Sequence, residues 1–244
     1  MVEVEKYYLP PTRLIPNSPQ PLLYYKGLLV DSSECRPEAI HETLDKNHWE
    51  TQWIFRYGST QLSHYHSRIH EAMVVLSGRA TIRFGVADTD PDLDKNTWGG
   101  AKEEGGIEVT ASIGDVFIIP AGVAHKTYNT SPSAEFSLLS PGDGHGIPGP
   151  NARESLANVR LSGFTMMGAY PKNCGYWDFS IGGEDVRDFE ASWNIPKPGK
   201  DPFLGDSRDG IVGHWDAAGI MKGEHPLPSS KRSVDMHSHG EKSL

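Results

Sequence analysis

The feature that most constrains the fold is a series of short segments with period-two hydrophobic alternation, which begins at Trp53. Glycine, proline, serine or asparagine residues separate these segments. Successive side chains of a strand point to opposite faces of a sheet, so this period indicates strands. Short strands at such spacing predict an all-β sandwich or barrel. The predicted strands are Trp53–Tyr57, Gln61–His66, Glu71–Leu76, Ala80–Phe84, Glu108–Ala111, Asp115–Ile119, His125–Thr130, Phe136–Ser140 and Gly163–Tyr170.

Composition supports a fold that is rich in turns and has a real core. The chain has 26 glycines and 18 prolines among 244 residues, which favours turns and short strands over long helices. Its hydrophobic fraction of 37% is sufficient for a core, so a fully disordered chain is excluded.

The charge balance limits the partners. With 23 basic and 32 acidic residues the net charge is -9, and an acidic surface repels nucleic-acid phosphates and anionic lipid. No apolar stretch approaches the roughly 18 residues that cross a bilayer. The first six residues lack the apolar run of a signal peptide, and two cysteines cannot form a disulfide framework. We therefore expect a cytoplasmic protein with a small-molecule substrate and with neither a nucleic-acid nor a membrane partner.

The chain is expected to divide into four segments. Residues 1–50 form an N-terminal arm of short strands and one helix that packs on the barrel, and residues 51–170 form the barrel itself. Residues 171–220 are expected to cover the barrel as an irregular segment, and residues 221–244 to form a mobile polar tail.

Two helices and one loop interrupt the strand pattern. The helix of the arm is expected to have Ser32 or Ser33 as its cap and Pro37 in its first turn. A second short helix is expected at Ala152–Val159. The acidic residues 88–106 indicate a solvated surface loop.

The arm also carries the apolar strand candidate Leu22–Tyr25. An exposed strand of this kind would risk edge-to-edge association, so either its own barrel or that of a partner should cover it. We predict a homodimer.

Four residues that can bind a metal ion lie in the strand-rich region. His64 and His66 are two residues apart, so on a strand both imidazoles leave the same face and can hold one ion. Glu71 begins the next strand, and His125 opens a strand after a turn. Three neutral imidazoles and one carboxylate leave a divalent ion with a net charge of about +1, which suits an oxygen ligand or dioxygen.

The spacing of these residues resembles the two motifs of the cupin superfamily, G-x5-H-x-H-x3–4-E-x6-G and G-x5-P-x-G-x2-H-x3-N. Every fixed position of both motifs matches. The matching residues are Gly58, His64, His66, Glu71 and Gly78, followed by Gly114, Pro120, Gly122, His125 and Asn129. The resemblance implies a single-domain, RmlC-like jelly-roll β-barrel with a few short helices. It also implies that His64, His66, Glu71 and His125 are the metal ligands.

More narrowly, the chain is similar to the YjlB-like cupins of bacteria and fungi. The similarity is carried by the runs HYHSRIHE (64–71), IIPAGVAHK (118–126) and GAYP (168–171). The loops at 87–106 and 141–158 are longer than those of its shorter bacterial members, so the shape of the pocket does not follow from the resemblance.

The ligand set predicts one divalent ion, with Fe(II) favoured among Fe, Mn, Zn, Ni and Cu. A redox ion with two open positions suits a dioxygenase or an oxidative decarboxylase that acts on a small oxygenated molecule, with Glu71 as the catalytic base. Two alternatives stay open. The ion can act as a Lewis acid in an isomerase, cyclase or lyase, or the chain can be a non-catalytic cupin that binds a metal or another ligand.

Strand alternation also predicts the surroundings of the ligands. From Glu71 the i+2 rule places Met73 in the same interior, near Phe55 and Phe136. The segment Trp177–Trp193 is expected to close one mouth of the barrel. An apolar pocket of this kind suits an aromatic or polyketide-like phenol or enol better than a free sugar.

Overall fold

The computed structural model describes residues 3–30, 35–183 and 189–216. The predicted tail at 221–244 and the predicted helix caps Ser32 and Ser33 lie outside the described residues. Within the described ranges the chain forms ten strands and five short helices. The predicted all-β fold with a few short helices is confirmed.

The bounds of the elements define the labels used below. The strands are β1 (Val4–Tyr7), β2 (Leu22–Tyr25), β3 (Trp49–Tyr57), β4 (Glu71–Ser77), β5 (Arg79–Phe84), β6 (Ile107–Ser112), β7 (Val116–Ile119), β8 (His125–Ser131), β9 (Ser137–Leu138) and β10 (Phe164–Pro171). The helices are α1 (Pro37–Lys46), α2 (Leu93–Thr97), α3 (Ala152–Ala157), α4 (Phe189–Trp193) and α5 (Ile211–His214).

The strands form two antiparallel sheets that share one interior. The larger sheet has the order β1-β2-β7-β4-β10-β3-β9, and the smaller has the order β6-β5-β8. The chain passes repeatedly from one sheet to the other, with β4 and β7 in the larger sheet and β5 and β8 in the smaller. Side chains from both sheets pack together in the interior, where Phe84 of β5 lies 5.5 Å from Phe117 of β7 between ring centroids.

The larger sheet is buried on both faces because α1, α3 and the C-terminal residues cover its outer side. Strand β4 shows the consequence for the sequence. Ala72, Val74 and Leu76 pack in the outer cluster, whereas Met73 and Val75 pack in the barrel interior. A strand buried on both faces reads as a nearly continuous apolar run, and the run AMVVL of β4 does so.

The apolar strand β2 pairs with β1 on one side and with β7 on the other. All four of its residues are buried. The chain itself therefore covers this strand, and the predicted homodimer is not needed to bury it.

Two segments differ from the sequence predictions. No continuous strand forms at Gln61–His66, where only isolated bridges join His64 to His125 and Tyr65 to Ser180. The acidic residues 88–106 are not a wholly solvated loop, because they contain α2. The end of α2 is buried where the Arg83 guanidinium donates hydrogen bonds to the carbonyls of Asn96 and Thr97.

A buried carboxylate fastens the C-terminal residues to the outer face of the larger sheet. Asp201 is fully buried and accepts a hydrogen bond of 2.6 Å from the Tyr25 hydroxyl. It also accepts hydrogen bonds from the backbone N–H groups of Phe203, Leu204 and Ile211. In the described part of the chain, no helix combines the length and the apolar character that crossing a membrane requires.

Candidate metal site

The three predicted histidine ligands lie together at one end of the barrel, and Glu71 lies beside His66 and His125. Glu71 is the first residue of β4, and His125 is the first residue of β8. His64 lies in the segment before β4 and pairs with His125 through two backbone hydrogen bonds of 2.8 and 3.1 Å. His66 follows two residues later, and its carbonyl accepts a hydrogen bond of 2.8 Å from the N–H of Gly122.

The turn that precedes His125 requires a glycine. Gly122 has a φ of +88°, which L side chains rarely adopt. A Cβ at this position would also lie 2.4 Å from the carbonyl oxygen of Asn17. Glycine therefore lets the arm pack against this turn while β8 starts with His125 facing the site.

The three histidines form a buried group that can hold an ion. One nitrogen from each of His64, His66 and His125 lies within 4.8 Å of the others. The rings of His64 and His125 are closest, with 4.4 Å between their centroids. Across the described ranges no other set of three metal-binding side chains meets this criterion.

The outer nitrogen of each histidine is engaged by the protein backbone. In all three rings Nδ1 lies against a carbonyl oxygen, which can only accept a hydrogen bond. The acceptors are the carbonyls of Leu62, Asp178 and Val123. Nδ1 is therefore the donor in each ring, which leaves a lone pair on Nε2 whenever the ring is neutral. This is the arrangement typical of metal-binding histidines, because the backbone hydrogen bond fixes both the tautomer and the ring orientation.

Glu71 lies beside two of these histidines. Its Oε1 is 3.5 Å from His66 Nε2, and its Oε2 is 3.3 Å from His125 Nε2. The Tyr170 hydroxyl donates a hydrogen bond of 3.1 Å to Oε1. Oε2 is buried and has no hydrogen-bond partner. A buried carboxylate oxygen without a partner is unfavourable, and a cation among these side chains would satisfy it. The residues present therefore fit a divalent metal ion.

Burial and mutual charge set the protonation states. Desolvation lowers the pKa of His64 well below its usual value, and His125 and His66 lower it further. Desolvation also lowers the pKa of His125, more than Glu71 raises it. Burial also lowers the pKa of His66, but attraction to Glu71 outweighs burial and raises this pKa above its usual value. At Glu71 burial raises the pKa, whereas His66 and His125 bring it below its usual value. The two histidines with lowered pKa and the ionised carboxylate are in the protonation states that bind metals.

His70 contacts other groups, although it is adjacent to Glu71 in sequence. Its Nδ1 accepts a hydrogen bond of 3.0 Å from the N–H of Ala121, and its Nε2 lies 3.2 Å from the carbonyl oxygen of Pro196. Its ring packs on Trp215 at 4.8 Å between centroids. His70 thus supports the turn before His125 from outside the cluster.

Comparison with known proteins finds a cupin domain within this chain. Residues 52–160 match the family model described as Cupin. These residues form a cupin domain. The chain also resembles the uncharacterized protein YjlB of Bacillus subtilis (strain 168), with 27% identity over 220 residues that cover 87% of this chain and 97% of the relative. The predicted single-domain cupin that resembles YjlB is therefore confirmed.

Several solved structures are also similar, all at low identity. The oxalate decarboxylase of Lactobacillus farciminis, in a formate complex, is 16% identical with a TM-score of 0.27, over 53% of this chain and 27% of that one. A vicilin of Solanum melongena is 17% identical with a TM-score of 0.29, over 60% and 28% of the two chains. The 11S globulin of Wrightia tinctoria is 9% identical with a TM-score of 0.28, over 53% and 22%. This chain thus spans less than a third of each of these proteins.

In this cupin domain the histidines and Glu71 border a cavity of about 230 Å³. Seven aromatic side chains form most of its wall, and the predicted Phe55 and Phe136 are among them, stacked with 5.0 Å between centroids. Met73 packs in the barrel interior but does not line the cavity. Met73 therefore lies in the predicted interior, although other residues of that interior line the cavity.

Part of the C-terminal segment borders the cavity. Residues 177–180, here called the strap, supply Trp177 and Phe179 to its wall. The strap pairs with the histidine segment through backbone hydrogen bonds of 2.8 and 3.0 Å between Tyr65 and Ser180. Phe179 stacks on His64 at 4.2 Å and 13°. Trp193 lies elsewhere, where its indole donates to the carbonyl of Pro16. Of the predicted closing segment, the strap reaches the mouth and Trp193 does not.

The two cupin motifs do not contain every residue that shapes the site. Tyr170, at the end of β10, donates to Glu71 and lies 3.3 Å from His66 Nε2. Strand alternation from Phe164, a buried interior residue of the same strand, indicates that Tyr170 faces inward. The segment that begins at Trp177 was expected to close a mouth of the barrel, but its irregular sequence has no periodic signal that shows which of its side chains reach the site.

Proposed function

We propose that this cupin is a metal-dependent enzyme that acts on a small oxygenated aromatic molecule, as a dioxygenase or an oxidative decarboxylase. The observation that carries the proposal is the set of three buried imidazoles whose Nδ1 atoms are all engaged by backbone carbonyls. Their Nε2 atoms, together with Glu71, border a largely aromatic cavity. A ligand bound there would contact both the metal site and the apolar wall.

We propose His64, His66, His125 and Glu71 as the ligands of one divalent ion, and Fe(II) as that ion. Mixed imidazole and carboxylate donors suit Fe(II) and Mn(II), although Zn(II), Ni(II) and Cu(II) also bind imidazole. When bound, a redox ion of this type supplies the electron-transfer chemistry that reactions with dioxygen require.

The cavity wall supports an aromatic substrate of modest size. An apolar cavity of about 150 Å³ accommodates benzene, so about 230 Å³ accommodates one substituted ring. Of the described residues that line the cavity, none is lysine or arginine, so a small dicarboxylate would find no cationic partner in the wall. The aromatic side chains would exclude water and stack against a planar substrate.

Glu71 is proposed to act on a substrate proton as well as to bind the ion. Its Oε1 is held by Tyr170, whereas Oε2 has no hydrogen-bond partner. Oε2 would either bind the ion or accept a proton, and not both at once. The same observation favours a second candidate function. In an isomerase, cyclase or lyase the ion would act as a Lewis acid, and Glu71 would move a proton between two positions of the substrate.

Loading the protein with different metals distinguishes these functions. Catechol, a chelating diphenol, and acetylacetone, a chelating enol, are suitable probes. The proposal predicts oxygen consumption with the Fe(II)-loaded protein and none with the Zn(II)-loaded protein. Turnover by the Zn(II)-loaded protein under nitrogen would support the Lewis-acid function instead. If both probes bind in a metal-dependent way and neither the Fe(II)-loaded nor the Zn(II)-loaded protein turns them over, both enzymatic functions would be contradicted. That result would favour a non-catalytic binding cupin.

Glu71→Gln separates the two roles of the carboxylate. We expect the variant to fold and to turn over more slowly, because its amide cannot accept a substrate proton. Metal retained in the slow variant would identify Glu71 as a base, whereas metal lost would identify it as a ligand only. Unchanged turnover would contradict both roles.

The proposal extends to assembly, location and organisation. Exposed Val30 and Ile113 lie beside the same turn at Gly114, and such apolar patches favour a homodimer.

Both cysteines are free, which supports a cytoplasmic location. We further propose that residues 171–220 serve as a cover of the barrel, which the strap and Asp201 support.

A further inference from the structure

One of the residues that line the cavity carries a hydrogen-bond donor that nothing in the described protein satisfies. The indole N–H of Trp177 is buried and has no hydrogen-bond partner. The other five tryptophans all donate to an oxygen atom. Their acceptors are Lys200 O for Trp49, Tyr170 Oη for Trp53, Asn129 Oδ1 for Trp98, Pro16 O and Asn17 O for Trp193, and Pro21 O for Trp215. Trp177 is therefore the exception among the indoles of this chain.

The Trp177 ring is held in place by its neighbours. His145 stacks on it with 4.7 Å between centroids and an interplanar angle of 17°. His66 packs against it edge-on at 5.6 Å. Since His66 is one of the proposed metal ligands, the Trp177 indole lies within one substrate length of the metal site. Because Trp177 lines the cavity and its ring is held by these contacts, a substrate acceptor that reaches the N–H would satisfy the unpartnered donor.

We propose that the Trp177 N–H donates a hydrogen bond to an acceptor oxygen of the substrate, and that Trp177 thereby determines specificity. The inference rests on the proposed function, since it requires a substrate that binds at the histidines while it fills the cavity. It narrows the substrate class to a single aromatic ring with chelating oxygens at one end and a further carboxylate, carbonyl or similar acceptor on the ring. A site built around a donor discriminates strongly against analogues that lack the matching acceptor.

Trp177→Phe tests the inference, because it removes the N–H and keeps an aromatic ring for the contacts with His145 and His66. Trp98→Phe is the matched control, since Trp98 is exposed and donates to Asn129 outside the cavity. The full chain of each variant, loaded with Zn(II), is titrated calorimetrically with catechol, 2,3-dihydroxybenzoate and 3,4-dihydroxybenzoate. Metal content and circular dichroism confirm that each variant is loaded and folded.

We expect Trp177→Phe to weaken the binding of at least one dihydroxybenzoate by about tenfold or more, because a hydrogen bond to a charged acceptor is lost. Catechol, which has no further acceptor, should bind within about twofold of the wild type, and Trp98→Phe should change no affinity. Unchanged affinities in Trp177→Phe would overturn the inference, as would equal weakening for catechol, which would indicate a packing role. Failure of the proposed function is distinguishable, since the wild-type chain would then show no metal-dependent binding of any probe.

Discussion

Tyr170→Phe is the substitution that most sharply tests how the metal site is supported. It removes one oxygen atom and leaves the ring in the cavity wall. That oxygen donates to Glu71 Oε1 at 3.1 Å and accepts from the Trp53 indole at 3.5 Å. Without it, Glu71 loses its only neutral hydrogen-bond donor among the described contacts, and the carboxylate is free to turn away from His66 and His125.

The magnitude follows from the type of hydrogen bond. A hydrogen bond to a charged group contributes about 1.5–3 kcal/mol, which corresponds to about 10- to 150-fold in an equilibrium constant. Loss of a group that orients a metal ligand typically costs about 10- to 100-fold in metal affinity. We therefore expect Tyr170→Phe to weaken metal binding by about 10- to 100-fold while the protein stays folded.

Competition with a chromophoric chelator at pH 7.5, with Zn(II) or Co(II), measures this affinity. The matched control is Tyr128→Phe, since Tyr128 is also buried but its hydroxyl lies 3.4 Å from the Arg83 guanidinium and outside the cavity. The control should bind the metal within about twofold of the wild type. Wild-type affinity in Tyr170→Phe would refute the reasoning, and so would an equal loss in both variants.

Three further predictions concern stability and assembly. Burial lowers the pKa of His70 to about 4, so the unfolded state binds a proton first on acidification. His70 should therefore lower the free energy of unfolding progressively below pH 6.5, by about 2 kcal/mol at pH 5. In urea unfolding, His70→Asn should lose less stability between pH 7.5 and 5 than the wild type. Equal losses in the two proteins would contradict this. Asp201→Ala should lower the free energy of unfolding by about 3 kcal/mol or more. The control Asp206→Ala, at an exposed residue, should change it by less than about 0.5 kcal/mol. A loss under about 1 kcal/mol in Asp201→Ala would show that this carboxylate does not fasten the C-terminal residues to the larger sheet. Light scattering at micromolar concentration should give twice the chain mass of 26.9 kDa, and Ile113→Lys should reduce it; a monomeric wild type would rule out the proposed homodimer.

The local patterns in the sequence account for the strands and for the histidine cluster. His64, His66 and His125 converge as spacing and motif predicted, although His64 and His66 lie in a segment of isolated bridges and not in a continuous strand. The same reasoning failed at Gln61–His66, since a strand also needs a continuous neighbour. That segment finds only single partners, in His125 and Ser180.

Long-range order determines the rest of the site and is not readable from local spacing. Tyr170 reaches Glu71 only because β10 pairs with β4, with Ala169 opposite Ala72. Trp177 reaches His66 only because the strap returns to the histidine segment across more than a hundred residues of sequence. Neither the strand order nor the path of the strap has a periodic signal, so the aromatic wall could be predicted in character but not residue by residue.

Elemental analysis tests the central claim, that His64, His66, His125 and Glu71 together hold one metal ion. The wild type, His64→Ala and His70→Asn would be purified without added metal or chelator, and their metal content measured by mass spectrometry. We predict about one first-row transition metal per chain in the wild type and in His70→Asn, and less than about a tenth of that in His64→Ala. A wild-type chain that binds no such metal even after reconstitution, or a His64→Ala variant that retains the wild-type content, would contradict the claim.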